Sequence, residues 1–274
     1  MMMFGFRKGA QDAEPVRRYG GTLVYCGRDT EGLIEVVDGY GVRALHFGTP
    51  PRQSAMALAE PERLELSYIR AMLAGLMFVP APRRVLALGL GGGSLAKFLA
   101  RNFPDCRIEV VEFRAAVVEV AHRYFGLPEA PNLAIHIGDA REFVRRQAVA
   151  GASVYDHIFV DIYDDRGLSA SVNERDFFAA CARLLEPSGV FSLNLWGSDR
   201  DSYREAVDLL RQYYGSHTLR LPVIGRGNVI GFGFGPDVPK PDLERLRPVS
   251  RELEARLGVE FPRLLRSMVP VGWR

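Results

Sequence analysis

The chain has 274 residues, 47% hydrophobic and 25% charged, which suits one large α/β domain with a small appendage and excludes a disordered chain. Its 35 basic and 33 acidic side chains are interspersed and leave a net charge of +2, so the basic face that nucleic-acid binding needs is missing. The 3 cysteines, Cys26, Cys106 and Cys181, stand apart from one another, which argues against a disulfide framework or zinc motif and fits a reducing cytoplasm.

The first ten residues are briefly apolar but too short for a secretory signal, and the longest apolar stretch, residues 71–82, falls short of a membrane span. No membrane association is expected. Between residues 21 and 48 apolar and polar residues alternate, predicting short antiparallel strands with Asp38-Gly39 as a hairpin turn. Leu64, Tyr68, Met72 and Leu76 share a helical face, so a helix is predicted over 62–78, stopped by Pro80 and Pro82. Strand–helix units follow. Strands are predicted over 84–90, 107–112, 133–137, 155–162 and 189–195, and helices over 94–102, 115–125, 140–150, 174–185 and 199–214. The run H-I-F-V-D-I is apolar on both faces, as a helix-covered parallel sheet requires. Segments 217–221 and 228–234 read as a hairpin completing the sheet, and a last helix is predicted over 251–257. The expected organisation is a tail and small β domain over residues 1–60, an α/β domain over 61–240 and a helical extension over 241–274.

In such a doubly wound, mostly parallel sheet, ligands sit at the carboxyl ends of the strands. Four features of this chain fall there. Residues 85–94 read V-L-A-L-G-L-G-G-G-S, and Glu112 closes the next strand as the last residue of R-I-E-V-V-E. Gly89, Gly91 and Gly93 let the backbone approach a ligand closely, beside the free N–H groups of a helix start. A carboxylate at Glu112 can accept two hydrogen bonds from ribose hydroxyls. Asp139, in Gly138-Asp139-Ala140, can accept from an adenine amine while the Ala140 N–H donates to the ring. Taken alone, a Gly-Asp before a helix is an N-cap; four strand ends in succession point instead to one nucleoside site. No pyrophosphate loop of standard spacing is present, so S-adenosylmethionine suits the pattern better than NAD. Asp161 and Asp164 form a D-x-x-D pair at the next strand end, where carboxylates could hold an amine and take its proton. Gln53 lies in a loop that could reach the crevice. The five histidines have no metal-ligand spacing, and no metal is expected.

These segments together resemble the spermidine synthase (polyamine aminopropyltransferase) family over residues 21–235: L-G-L-G-G-G-S at 88–94, V-V-E at 110–112, G-D-A-R at 138–141, Y-D-H-I-F-V-D-I-Y-D at 155–164 and V-I-G-F at 229–232. The resemblance implies a Rossmann-like sheet of seven strands, of the class I methyltransferase type, behind a small N-terminal antiparallel β domain. It implies aminopropyl transfer from decarboxylated S-adenosylmethionine, as co-substrate, to a putrescine-like amine, in a cytoplasmic homodimer. Gln53, Glu112 and Asp139 would bind the nucleoside, Asp161 would accept the proton, and Asp164 would grip the amine. Tyr68 and Asn194 stand where the family has a tyrosine and, commonly, a glutamine, and would face the substrate. Gly92 occupies a loop position where family members usually carry an acid. Two alternatives stay open: a methyltransferase using intact S-adenosylmethionine, and a catalytically silent nucleoside-binding paralogue.

Overall fold

The computed structural model describes residues 16–151, 154–164, 167–168, 174–197, 199–215, 217–225 and 227–271, with the side chains of 163–164 and 167–168 outside that description. It begins with a five-stranded antiparallel meander in sequence order: β1 (Arg17–Arg18), β2 (Gly21–Asp29), β3 (Gly32–Gly39), β4 (Val42–His46) and β5 (Ser54–Ala57). The β3–β4 hairpin turns on Tyr40 (φ 53°) and Gly41 (φ 75°), not on Asp38-Gly39. A two-residue turn of this hand needs positive φ at both centres, which Tyr40 adopts at the very tip. Gly39 has another duty: a Cβ there would lie 3.2 Å from the Gly21 backbone on the facing strand. Asp38 is likewise occupied, bound to Arg43 through both carboxylate oxygens at 2.8 Å.

Helix α1 (Ser67–Met72) and a 3-10 turn (Leu73–Met77) replace the single long helix the apolar spacing predicts. Within that turn Gly75 lies so close to the His157 imidazole that a Cβ would meet its ring carbon. Then come β6 (Arg84–Leu88), α2 (Ser94–Asn102), β7 (Arg107–Glu112), α3 (Ala115–Phe125), β8 (Leu133–Ile137), α4 (Ala140–Ala150) and β9 (Tyr155–Val160). A small hairpin, β10 (Tyr163–Asp164) and β11 (Gly167–Leu168), follows β9. The chain continues with α5 (Arg175–Leu184), β12 (Leu185–Trp196), α6 (Arg200–Tyr214), β13 (Leu219–Pro222) and β14 (Asn228–Phe234). It ends with α7 (Arg247–Leu257), α8 (Phe261–Ser267) and β15 (Val269–Pro270).

The main sheet runs β15-β13-β14-β12-β9-β6-β7-β8, so the short β15 at the edge extends the expected seven strands to eight. Strands β12, β9, β6, β7 and β8 are parallel, and β14, β13 and β15 pair antiparallel. From β6 the chain goes outward to β7 and β8, then returns to lay β9 on the other side. The switch point is therefore the crevice between β6 and β9.

Alternation along the strands sorts the core into two layers. Val85, Ala87, Val110, Phe159 and Ile230 pack under α1, α2, α7 and α8, while Leu86, Leu88, Ile158, Phe191 and Leu193 pack under α4, α5 and α6. A third cluster joins the meander to α3 through Ile34, Val36, Leu45, Val117, Val120 and Phe125. Among the described residues no helix is long and apolar enough to cross a membrane.

Candidate active site

The glycine turn after β6 holds its shape through φ values of 99° at Gly89, 55° at Gly91 and 77° at Gly93, all in the region that favours glycine. Gly89 sits at the switch point itself: a Cβ there would collide with the Asp161 carbonyl. Its own N–H donates to Val111 at 2.9 Å, and the Asp161 N–H donates to Leu88 at 2.9 Å, so the ends of β7, β6 and β9 are locked together. The N-cap of α2 is Gly93, which has no side chain to satisfy the first-turn N–H groups. Gln53, half-buried just before β5, brings its carbonyl to the same turn, 3.7 Å from where a Gly91 Cβ would be.

Glu112 is 9% exposed. One carboxylate oxygen accepts the Leu90 N–H at 3.0 Å and the other the Arg114 N–H at 2.9 Å. Burial raises its pKa above the usual carboxylate value despite these donors. The Gly91 N–H is a third backbone donor, so about one of the four lone-pair sites stays open to a ligand hydroxyl. The Arg114 guanidinium does not neutralise it by contact. It turns to Asp29, at 2.8 and 3.0 Å, and lies over the Phe47 ring at 4.5 Å, tying the meander to the end of β7.

The Gly138 N–H donates to the Glu112 carbonyl at 2.9 Å, which places Gly138-Asp139-Ala140 next along the rim. Asp139 caps α4 by accepting the Glu142 N–H at 3.0 Å, so the cap role and a rim position coincide. Sequence reasoning missed Phe113 and Ile137, which are 56% and 60% exposed where β7 and β8 end. An apolar side chain flanking a strand-end acid was the available signal.

On the other side of the switch point Asp161 is partly open to solvent. Asn194 donates to its Oδ1 at 2.8 Å, and the Tyr68 side chain hydrogen-bonds it from α1. Crowding by protein raises its pKa above the usual carboxylate value, and those two hydrogen bonds oppose the rise. Tyr68, Asp161 and Asn194 thus come together at the rim. The backbone of Asp164 pairs with Gly167, but its side chain and all of Asp165 lie outside the described residues.

Strand order, switch point and a buried acid at the end of the second parallel strand make this a Rossmann-like α/β protein of the class that includes methyltransferases. Residues 67–196 match the family model described as spermine/spermidine synthase domain. A polyamine aminopropyltransferase of Chromobacterium violaceum is 34% identical over 232 residues, covering 83% of this chain and 86% of that protein. Spermidine synthase from Thermotoga maritima superposes with a TM-score of 0.68 at 18% identity, covering 94% and 92% of the two chains. Human methyltransferase-like protein 13, in complex with SAH, gives 0.60 at 27% identity over 76% of this chain and 96% of that one. The chain belongs to the spermine/spermidine synthase family.

Proposed function

We propose that the protein transfers an aminopropyl group from decarboxylated S-adenosylmethionine to a putrescine-like amine. One observation carries this: a carboxylate, Asp161, held by amide and phenol donors directly across the switch point from the glycine turn and Glu112. Gly89, Gly91 and Gly93 would admit the donor, Glu112 would take its ribose hydroxyls, and Gln53, Asp139 and Ala140 would contact the rest of the nucleoside. The amine nitrogen attacks the methylene carbon bonded to the sulfonium. The C–N bond forms as the C–S bond breaks, the electron pair goes to sulfur to give methylthioadenosine, and the amine proton passes to Asp161.

An aliphatic amine with pKa near ~10 is protonated at neutral pH and cannot attack. A carboxylate beside it first pairs with the cation and then accepts the proton. Burial makes Asp161 a stronger base than a free aspartate, which suits that second step. Alignment of amine and sulfonium contributes roughly 7–11 kcal/mol of barrier lowering where it is complete.

One observation favours methyl transfer as a second reading. Gly92 is buried, and a Cβ there would lie 2.7 Å from Ser54 Oγ and 2.9 Å from the Phe125 ring. The turn therefore has no room at that position for an acid to meet the donor's amino group. Incubation with each donor and putrescine separates the readings. Methylthioadenosine from the decarboxylated donor is the expected product; S-adenosylhomocysteine from the intact donor instead would replace the first reading by the second.

A further inference from the structure

Three neighbouring strands bring polar side chains into line at the rim. Leu193 of β12 pairs with Val160 of β9, so the next residues, Asn194 and Asp161, lie side by side. On the far side of β12, Asn194 faces Ile230 of β14, and Asn228 faces Trp196, so Asn228 is the diagonal neighbour of Asn194. Asn228 Nδ2 donates to Asn194 Oδ1 at 3.0 Å, and Asn194 Nδ2 donates to Asp161 Oδ1 at 2.8 Å. Both asparagines are buried, at 6% and 2% exposure.

We propose that Asn228 is a positioning residue: by donating to the Asn194 oxygen it locks that amide with its NH2 group on Asp161, and so aims the carboxylate that takes the substrate's proton. The inference rests on the reading of Asp161 as that acceptor.

A primary amide has an accepting end and a donating end. Nothing in Asn194 itself chooses between them. With the Asn228 NH2 group against the Asn194 oxygen, the Asn194 NH2 group has to point to Asp161. Turned the other way, its oxygen would oppose a carboxylate oxygen and push it out of line. Burial strengthens both hydrogen bonds, because little water competes for either partner. The Asn194 amide is therefore fixed from both ends, by the Asp161 carboxylate that accepts and by the Asn228 NH2 group that donates. Asp161 is also faced by Tyr68 from α1 and by the Gly89 backbone from β6, and Asp164 follows it on its own segment.

Asn228→Asp tests this with almost no change of shape. A carboxylate only accepts, so it would compete with Asp161 for the Asn194 NH2 group and weaken the hydrogen bond that holds Asp161. Asn228→Ala removes the donor without adding charge, and Asn228→Ser restores a hydroxyl donor. With decarboxylated donor and putrescine, kcat should fall roughly ten- to hundredfold in Asn228→Asp, less in Asn228→Ala, and partly recover in Asn228→Ser. The KM for the nucleoside donor should stay within about twofold, since that subsite lies across the switch point. The carboxyl-carbon NMR titration of Asp161, assigned with Asp161→Asn, should move up by about one pH unit in Asn228→Asp. A folded Asn228→Asp with unchanged kcat and an unmoved Asp161 titration would overturn the proposal. So would parallel losses of kcat, donor affinity and melting temperature in all three variants with that titration fixed. Wild-type protein that turns over no amine would sink the aminopropyl reading alone, because the Asp161 titration still reports on the amide chain.

Discussion

His157 gives the sharpest test of how this sheet is built. It is fully buried on β9, stacked on Phe159 at 3.8 Å, with Nε2 sharing a 2.8 Å hydrogen bond with Ser192 Oγ. Its Nδ1 has no hydrogen-bond partner among the described residues, and the Gly75 backbone presses on the ring. Burial pushes its pKa from 6.5 down to about 3. The unfolded chain therefore takes up this proton first. The stability His157 contributes is complete above about pH 6.5 and is lost as pH falls toward about 3, by about 1.4 kcal/mol per unit. Between about pH 7.5 and about pH 5 the loss is about 2 kcal/mol, from the 1.5 units lying below the unfolded pKa. Urea unfolding at those two pH values, on wild type and His157→Gln, measures it. The variant will be less stable at both, but its free energy should fall by about 2 kcal/mol less between them. Equal falls would refute the burial argument. The 3-10 turn over His157 continues the helix that carries Tyr68, so the same acid transition should loosen Tyr68 from Asp161.

Four further outcomes follow from the rim. Asp161→Asn should abolish transfer, leave methylthioadenosine affinity nearly unchanged and raise the melting temperature at neutral pH. The last follows because a carboxylate with a raised pKa destabilises the fold once ionised; a lower melting point would contradict the direction of that shift. Its raised pKa also predicts that the acid limb of kcat lies above the ordinary aspartate value of 3.8, which a pH–rate profile reads directly. Glu112→Ala should weaken methylthioadenosine binding by roughly ten- to a hundredfold in calorimetry, the loss of about one hydroxyl bond to a charged acceptor. Gly89→Ala has to place a Cβ against the Asp161 carbonyl at a φ of 99°. It should lower nucleoside affinity more than tenfold, at a backbone cost of about 1–2 kcal/mol; wild-type affinity would show that β6 and β9 can separate there without consequence.

The parallel strands were legible because burial on both faces leaves continuous apolar runs, and Val85 to Leu88 and Ile158 to Val160 are such runs. Helix stops were legible where glycine adopts a left-handed cap, as at Gly126 and Gly258. Elements set by distant partners were not. Helix 62–78 is shorter than its apolar spacing predicts, and the turn that follows it packs Gly75 against His157, a neighbour 82 positions away in sequence. Helix α8 escaped notice because it is brief and carries Pro262 in its first turn, just after the Gly258 stop. At the site the glycines, Glu112, Asp139 and Asp161 were readable, since each is a chemical type out of place at the end of an apolar strand. Asn228 was not, because its meaning depends on β14 inserting antiparallel beside β12, and no local pattern encodes that pairing.

The two halves of the rim share an electrostatic arrangement. Glu112 and Asp161 are both carboxylates that burial pushes toward protonation, and both are met by neutral donors instead of by a cation in contact. The nearest guanidinium, Arg114, is committed to Asp29 and to the Phe47 ring, so it stiffens the end of β7 without quenching Glu112. A fold selected for stability alone would pair or remove such acids, because an under-neutralised buried carboxylate destabilises it. Here the deficit is divided across one switch point, with hydroxyl-accepting capacity on one side and proton-accepting capacity on the other. A ligand that brings ribose hydroxyls to Glu112 and an ammonium to Asp161 supplies what each carboxylate lacks. That complementarity, more than the glycine turn, is what supports the proposal of an adenosyl donor and an amine acceptor for this sheet.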